Sequence, residues 1–107
     1  MRNEEFIKKF FNSNGGNAKN QHIFYEDNVL YDYGYHFPLA IKLNNGYVIV
    51  NKYKYSRTTS RHQNIILNNV DNDKLIQYNT YEMRDIINIS PKITDIKEIM
   101  IKRLEKE

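Results

Sequence analysis

The sequence predicts an α+β domain: a small antiparallel β-meander of three to four strands, packed with N-terminal, middle and C-terminal helices. Three observations carry this expectation. Aromatic and β-branched runs between His22 and Tyr55 are separated by turn-forming triplets, above all Asn44-Asn45-Gly46. Apolar residues recur at helical spacing near both ends of the chain. These helical stretches gather outside the strands rather than alternating with them, which favours α+β over α/β. A chain of 107 residues has room for one modest core, so a single domain over 1–107 is expected.

Taken in order, residues 3–11 form an amphipathic helix with Phe6, Ile7, Phe10 and Phe11 on one face, giving an N-terminal helix within 1–11. Glu4 and Glu5 sit at the positive end of its dipole, and Lys8 and Lys9 follow each by four residues. Residues 12–20 are rich in Gly and Asn without periodicity and read as a flexible linker. Residues 22–25 and 29–33 are strands around the turn Glu26-Asp27-Asn28. Residues 36–43 and 47–55 are the clearest hairpin, because an Asn-Gly step supplies the positive φ that tight hairpin turns need. Pro38 cannot donate to a ladder, so its strand is an edge there or begins near it.

A helix is expected from Ser60, where Ser60 and Gln63 have capping-box spacing and His62, Ile65, Ile66, Asn69 and Val70 share a face. The meander and this helix fill 22–70. Asp71-Asn72-Asp73 breaks the chain. Residues 75–89 are ambiguous, the first half favouring strand and the second a short helix. Ser90-Pro91 suits the start of a last helix over 91–107, with Ile93, Ile96, Met100 and Leu104 inward and a charged tail over 102–107. The terminal helices are the expected cover for the apolar face of the meander.

The chain has no Cys, which removes disulfides, thiol nucleophiles and Cys-ligated zinc, and fits a reducing cytosol. No stretch approaches the roughly 18–20 apolar residues of a membrane span, and the N-terminus lacks an apolar signal region. A cytoplasmic protein without a membrane partner is expected. A net charge of +3 and a pI near 9.0 permit contact with nucleic acid or an acidic protein face, and argue against a carboxylate-lined DNA mimic. Frequent Asn, Ile and Lys also match AT-rich coding.

Chemical capacity concentrates between Tyr31 and Gln63. Tyr55-Ser56-Arg57-Thr58-Thr59-Ser60-Arg61-His62 brings hydroxyls and two Arg to a helix start, where unpaired N–H groups favour an anion. The simpler reading, that Ser60 caps the helix and Thr58 and Thr59 end a strand, is preferred. Gly34 allows a backbone kink or bulge that re-aims its neighbours. Tyr31, Tyr33 and Tyr35 share a face if the strand continues through Gly34, and would then offer an aromatic surface for bases; cross-strand packing is the simpler alternative. Tyr53, Lys54, Tyr55 and Arg57 alternate ring and cation, which suits nucleic acid or a protein hot spot. His22, His36 and His62 have no metal-ligand spacing, so no metal and no cofactor is expected. A His36/His62 pair could perform acid–base chemistry on RNA, with Arg57 or Arg61 holding a phosphate. Walker A, GxGxxG, GxSxG and HExxH motifs are all missing.

The residues Tyr33-Gly34-x-His36-Phe37-Pro38-x-Ala40, then Asn51, then Tyr55-Ser56-x-Thr58-Thr59-Ser60-Arg61-His62-Gln63 resemble a module of small uncharacterised proteins of bacteriophages and mobile elements. The resemblance covers about a third of the chain and implies a context rather than a mechanism. A small phage-type protein without a catalytic set is expected to be a non-enzymatic binder of a host protein or nucleoprotein, such as an anti-CRISPR-like inhibitor of bacterial defence. Its contact residues would come from Tyr53, Lys54, Tyr55, Ser56, Arg57, Thr58, Thr59, Arg61 and His62. A small module binding RNA or single-stranded DNA is the alternative, and a metal-independent nuclease built on His36 and His62 the second.

Overall fold

A computed structural model describes residues 1–43 and 46–89, the side chain of Ile89 excepted. The Asn44-Asn45 half of the expected hairpin turn and the expected C-terminal helix lie outside the described residues. Helix α1 (Asn3–Asn12) leads into strands β1 (Asn17–Asn20), β2 (Ile23–Glu26), β3 (Val29–Asp32), β4 (Pro38–Lys42) and β5 (Val48–Asn51). Helix α2 (Arg57–Asn68) follows, then a 3₁₀ turn (Asn72–Lys74), β6 (Leu75–Tyr78) and α3 (Thr80–Ile89). The class is α+β. Among the described residues the sheet has six strands rather than three to four, in the order β1-β2-β3-β4-β5-β6.

Strands β1 to β5 form an antiparallel meander, while β6 pairs with β5 in parallel after the α2 crossover. Helices and strands therefore alternate after β5, contrary to the sequence expectation. Strand β1 overturns the expected linker over 12–20. Its sequence, Asn-Ala-Lys-Asn, has no apolar alternation, and its strand geometry comes from pairing with β2, from Asn17 opposite Glu26 to Asn20 opposite Ile23. The tight turns into β2 and β3 each carry positive φ at a non-glycine residue, Gln21 at 59° and Asp27 at 52°.

Apolar residues divide between two faces. Phe6, Ile7 and Phe10 of α1 and Ile66 of α2 pack with Ile23, Tyr25, Leu30, Leu39, Val48 and Val50. Met83 and Ile86 of α3 pack with Val29, Tyr31, Ile41 and Ile49 on the other face. Each such buried side chain contributes about 1.5–3 kcal/mol of transfer free energy. The second face is thus covered by the helix that was ambiguous in sequence, and residues 75–89 are a strand followed by a helix.

Two local expectations change. The pairing of β3 with β4 shifts at Leu30/Tyr31, where Leu30 faces Ala40 and Tyr31 faces Pro38, so the extra residue is Leu39 rather than Gly34. Pro38 opens β4, where its missing N–H costs little. Helix α2 begins earlier than expected: Ser56 is extended (φ −155°, ψ 172°), and its hydroxyl accepts from the Thr59 N–H. Ser60 lies in the first turn instead of capping it. Gln63 is drawn inward to backbone carbonyls rather than back to the cap.

The C-terminus of α1 is fastened by a side chain from β4. The Lys42 ammonium donates to the carbonyls of Phe10 (2.6 Å) and Ser13 (2.7 Å), and lies 4.8 Å from the centre of the Phe10 ring. A cation here meets the negative end of the helix dipole. Burial pushes the Lys42 ammonium below its ordinary value.

Candidate functional site

The topology brings several chain segments to one end of the sheet. The β1–β2 turn, the loop over 33–37, the loop over 52–56, the N-terminus of α2 and the N-terminus of α3 all lie there, since β3, β5 and β6 end where β2 and β4 begin. The carboxyl ends of the two parallel strands, β5 and β6, lie beside one another at this end. In α/β sheets such strand ends are favoured places for ligands.

Under this end runs a buried polar chain. His62 and Asp32 are 3% and 0% exposed, and Nδ1 of His62 lies 2.8 Å from Oδ2 of Asp32. Nε2 of His62 lies 3.1 Å from the Asn3 side-chain nitrogen, and the Asn3 oxygen accepts from Asn20 at 3.0 Å. These directions agree when Asn20 donates to Asn3, Asn3 donates to Nε2, and the neutral imidazole donates from Nδ1 to Asp32. An aspartate orienting a histidine has the first half of a catalytic arrangement. Here the second nitrogen is closed by Asn3 instead of opening to a substrate, so the pair ties α2 to β3 and α1. The other carboxylate oxygen, Oδ1 of Asp32, has no hydrogen-bond partner among the described residues.

The expected meeting of His36 and His62 does not occur. His36 is exposed and borders a cavity of about 300 Å³ with Tyr31, Tyr35 and Arg84, on the α3 side of the sheet. His62 is sealed on the α1/α2 side. Among the described residues no group of three His, Cys, Asp or Glu could hold a metal ion.

Tyr31, Tyr33 and Tyr35 do not share a face either. The strand ends at Asp32, and Tyr33 takes φ 67°, held by its N–H donating to the His22 carbonyl at 2.7 Å. A left-handed conformation is costly for an L-residue with a ring, and it turns the chain at Tyr33 rather than at Gly34. Tyr33 then stacks on His22, with ring centres 5.2 Å apart. Tyr31 is buried against Phe24, and Tyr35 meets both rings edge-on. The Tyr35 hydroxyl also donates to Glu26, which raises the Tyr35 phenol above its usual range.

The loop after β5 is held from below by two amides. Asn51 is 1% exposed; its side-chain N–H groups donate to the Pro38 carbonyl and the Thr80 hydroxyl, both at 2.9 Å, and its oxygen accepts from the Tyr53 N–H at 2.9 Å. Gln63 donates to the carbonyls of Asn51 (2.8 Å) and Tyr53 (2.7 Å). The Lys52 N–H donates to the Tyr78 carbonyl at 2.8 Å. Buried polar groups paired in this way fix a backbone, because opening the bonds would leave donors and acceptors unsatisfied.

What the loop presents is aromatic and cationic. Tyr53 and Tyr55 are 56% and 63% exposed, and both rest on the buried Phe37 ring, at 6.4 Å and 5.7 Å between centres. Lys52, Lys54, Arg57 and Arg61 are exposed and form no ion pair among the described residues. Of the expected contact residues, Tyr53, Lys54, Tyr55, Arg57 and Arg61 are at the surface, and Ser56 and Thr58 are half-buried. Thr59 and His62 are buried and bonded internally, which corrects their place in that set. Lys52 and the Phe37 support were not singled out in the sequence. One signal could have found the cationic surface: Asp and Glu are missing between Asp32 and Asp71, a stretch holding Lys42, Lys52, Lys54, Arg57 and Arg61.

The model of a family of unknown function, DUF8033, matches residues 5–83, from α1 into the first turn of α3. No curated protein and no solved structure matches the chain.

Proposed function

The chain belongs to that family of unknown function, DUF8033, and from its geometry we propose that it is a non-enzymatic binding protein that occupies a host protein or nucleoprotein through the loop over 52–57. The observation that carries this reading is the presentation of Tyr53 and Tyr55 over Phe37, beside cations that form no ion pair among the described residues. Tyrosine and arginine are the residues that most often dominate binding energy at interfaces. A loop already held by Asn51 and Gln63 loses little further freedom on binding, which favours affinity. The one His–carboxylate pair among the described residues is sealed, which supports binding over catalysis. The specific form of the reading is a phage-type inhibitor of a bacterial defence system, acting in the host cytoplasm. Its support is the small domain and the resemblance of the Tyr33 to Gln63 module, and no membrane partner is required: among the described residues no helix is long and apolar enough to cross a membrane.

Affinity capture with immobilised protein tests the reading. The wild type should retain a defined host protein or nucleoprotein, identified by mass spectrometry, that a Tyr53→Ala/Tyr55→Ala variant of equal stability loses. Retention of the same set by both proteins would reject the loop as the contact surface.

A further inference from the structure

The chemistry of the loop is more selective than a generic interface, and it points to the part of the partner that it touches. We infer that the 52–57 loop contacts single-stranded nucleic acid directly. Tyr53 and Tyr55 would stack on bases, and Lys52, Lys54, Arg57 and Arg61 would meet phosphates. This rests on the binding reading above and deepens it.

Charge is the first support. The run from Tyr33 to Val70 contains Lys42, Lys52, Lys54, Arg57 and Arg61 and no carboxylate. Lys42 is spent on α1, which leaves the other four at this end of the sheet. Asp32, the preceding acid, is buried against His62. Glu82, on α3 at the same end, accepts from the Asn79 N–H at 3.0 Å, while its own N–H donates to the Asn79 side chain at 2.8 Å. A surface of one sign does not complement a neutral or mixed-sign partner face. Four cations without an unengaged acid on their own segment complement a polyanion instead.

Ring geometry is the second support. Tyr53 and Tyr55 are spaced by two residues, and both lie on the same supporting ring, Phe37. They are mostly exposed, yet Asn51 and Gln63 bonds fix the Tyr53 backbone, and Tyr55 rests on Phe37 just before the Ser56 cap. Fixed, outward tyrosines stack on unpaired bases, whose faces a duplex hides. The lysines at 52 and 54 interleave with the rings, as a strand of alternating base and phosphate requires.

The test uses the full chain and fluorescence anisotropy with labelled oligothymidylate and oligoadenylate of ~16 nucleotides, a length within the range of single-strand sites, and a duplex of equal length. Both single strands should bind more tightly than the duplex. Affinity should fall with salt with a log–log slope of about −3, the value for four neutralised phosphates on a single strand. Tyr53→Ala and Tyr55→Ala should each weaken binding by roughly 5- to 100-fold, while Tyr53→Phe and Tyr55→Phe should keep most of it. Lys9→Ala, an exposed cation in the last turn of α1, away from the loop, should change little. No binding at ~50 mM salt, equal or stronger binding to the duplex, or indifference to both alanine substitutions would each overturn the inference. If the oligonucleotides fail while nuclease-treated extract still yields a partner lost by Tyr53→Ala/Tyr55→Ala, the partner is a protein: the inference fails and the binding reading stands.

Discussion

Nδ1 of His62 and Oδ2 of Asp32 meet at 2.8 Å in a region almost closed to solvent, and so join the second helix to the end of the third strand. Removing one member leaves the other buried without its partner. Asp32→Ala leaves the Nδ1–H of His62 buried without an acceptor and should destabilise the protein by about 1–3 kcal/mol. Asp32→Asn, which keeps an oxygen acceptor for the imidazole, should cost less. Urea unfolding of both variants measures the difference, and equal losses would mean that the oxygen kept by Asn contributes nothing without the carboxylate charge.

Ser56 and Ser60 separate two possible starts of α2. Ser56→Ala removes the hydroxyl that accepts from Thr59 and should cost about 1 kcal/mol. Ser60→Ala, within the first turn, should change stability by less than about 0.5 kcal/mol. Thermal denaturation reads both, and a reversed order would move the cap back to Ser60.

Lys42 fastens the end of α1 to β4. Lys42→Met keeps much of the aliphatic stem but deletes the donors to Phe10 and Ser13, and should cost about 1–3 kcal/mol. Local amide exchange in residues 9–13 should rise with it. Unchanged exchange there would show that apolar packing alone holds the helix end.

Tyr35 and Glu26 give a pH-dependent signal. The hydrogen bond to Glu26 raises the Tyr35 phenol above its ordinary 10.0. Raised in the folded state, the group keeps its proton while the unfolded chain begins to lose it. Its contribution is complete below pH 10.0 and is lost as pH rises through the higher folded value. Ultraviolet titration of Glu26→Gln should show Tyr35, and to a smaller extent Tyr31, ionising at lower pH than in the wild type, and identical curves would remove Glu26 as the cause.

Most of the meander was legible because its strands are aromatic and β-branched runs separated by Asp-Asn and Asn-Gly steps. Strand β1 was not, because its four residues have neither apolar alternation nor β-branching, and only pairing with Ile23 to Glu26 defines it. The start of α2 was misplaced because two serines compete. Ser56 makes the cap, while Gln63 reaches the carbonyls of Asn51 and Tyr53 instead of the cap, a contact no local pattern encodes. The exposed ring-and-cation pattern of Tyr53 to Arg57 was visible as alternation. The Phe37 support was not, since it depends on β4 lying beside β5. His62 looked like a chemical residue on a helix face, and its sealing by Asn3 from a segment 59 positions away was invisible.

The parallel pairing of β6 with β5 has a consequence for assembly order. The antiparallel turns join near neighbours, whereas β6 reaches β5 only after the whole α2 crossover has been closed, a loop with a larger entropic cost. Contacts of low sequence separation form faster, so the meander is expected to precede the docking of β6 and α3. The bond from Asn51 to Thr80 belongs to that late step. A nascent chain that has emerged only through β5 can build a sheet, but it cannot yet hold its tyrosine loop in place.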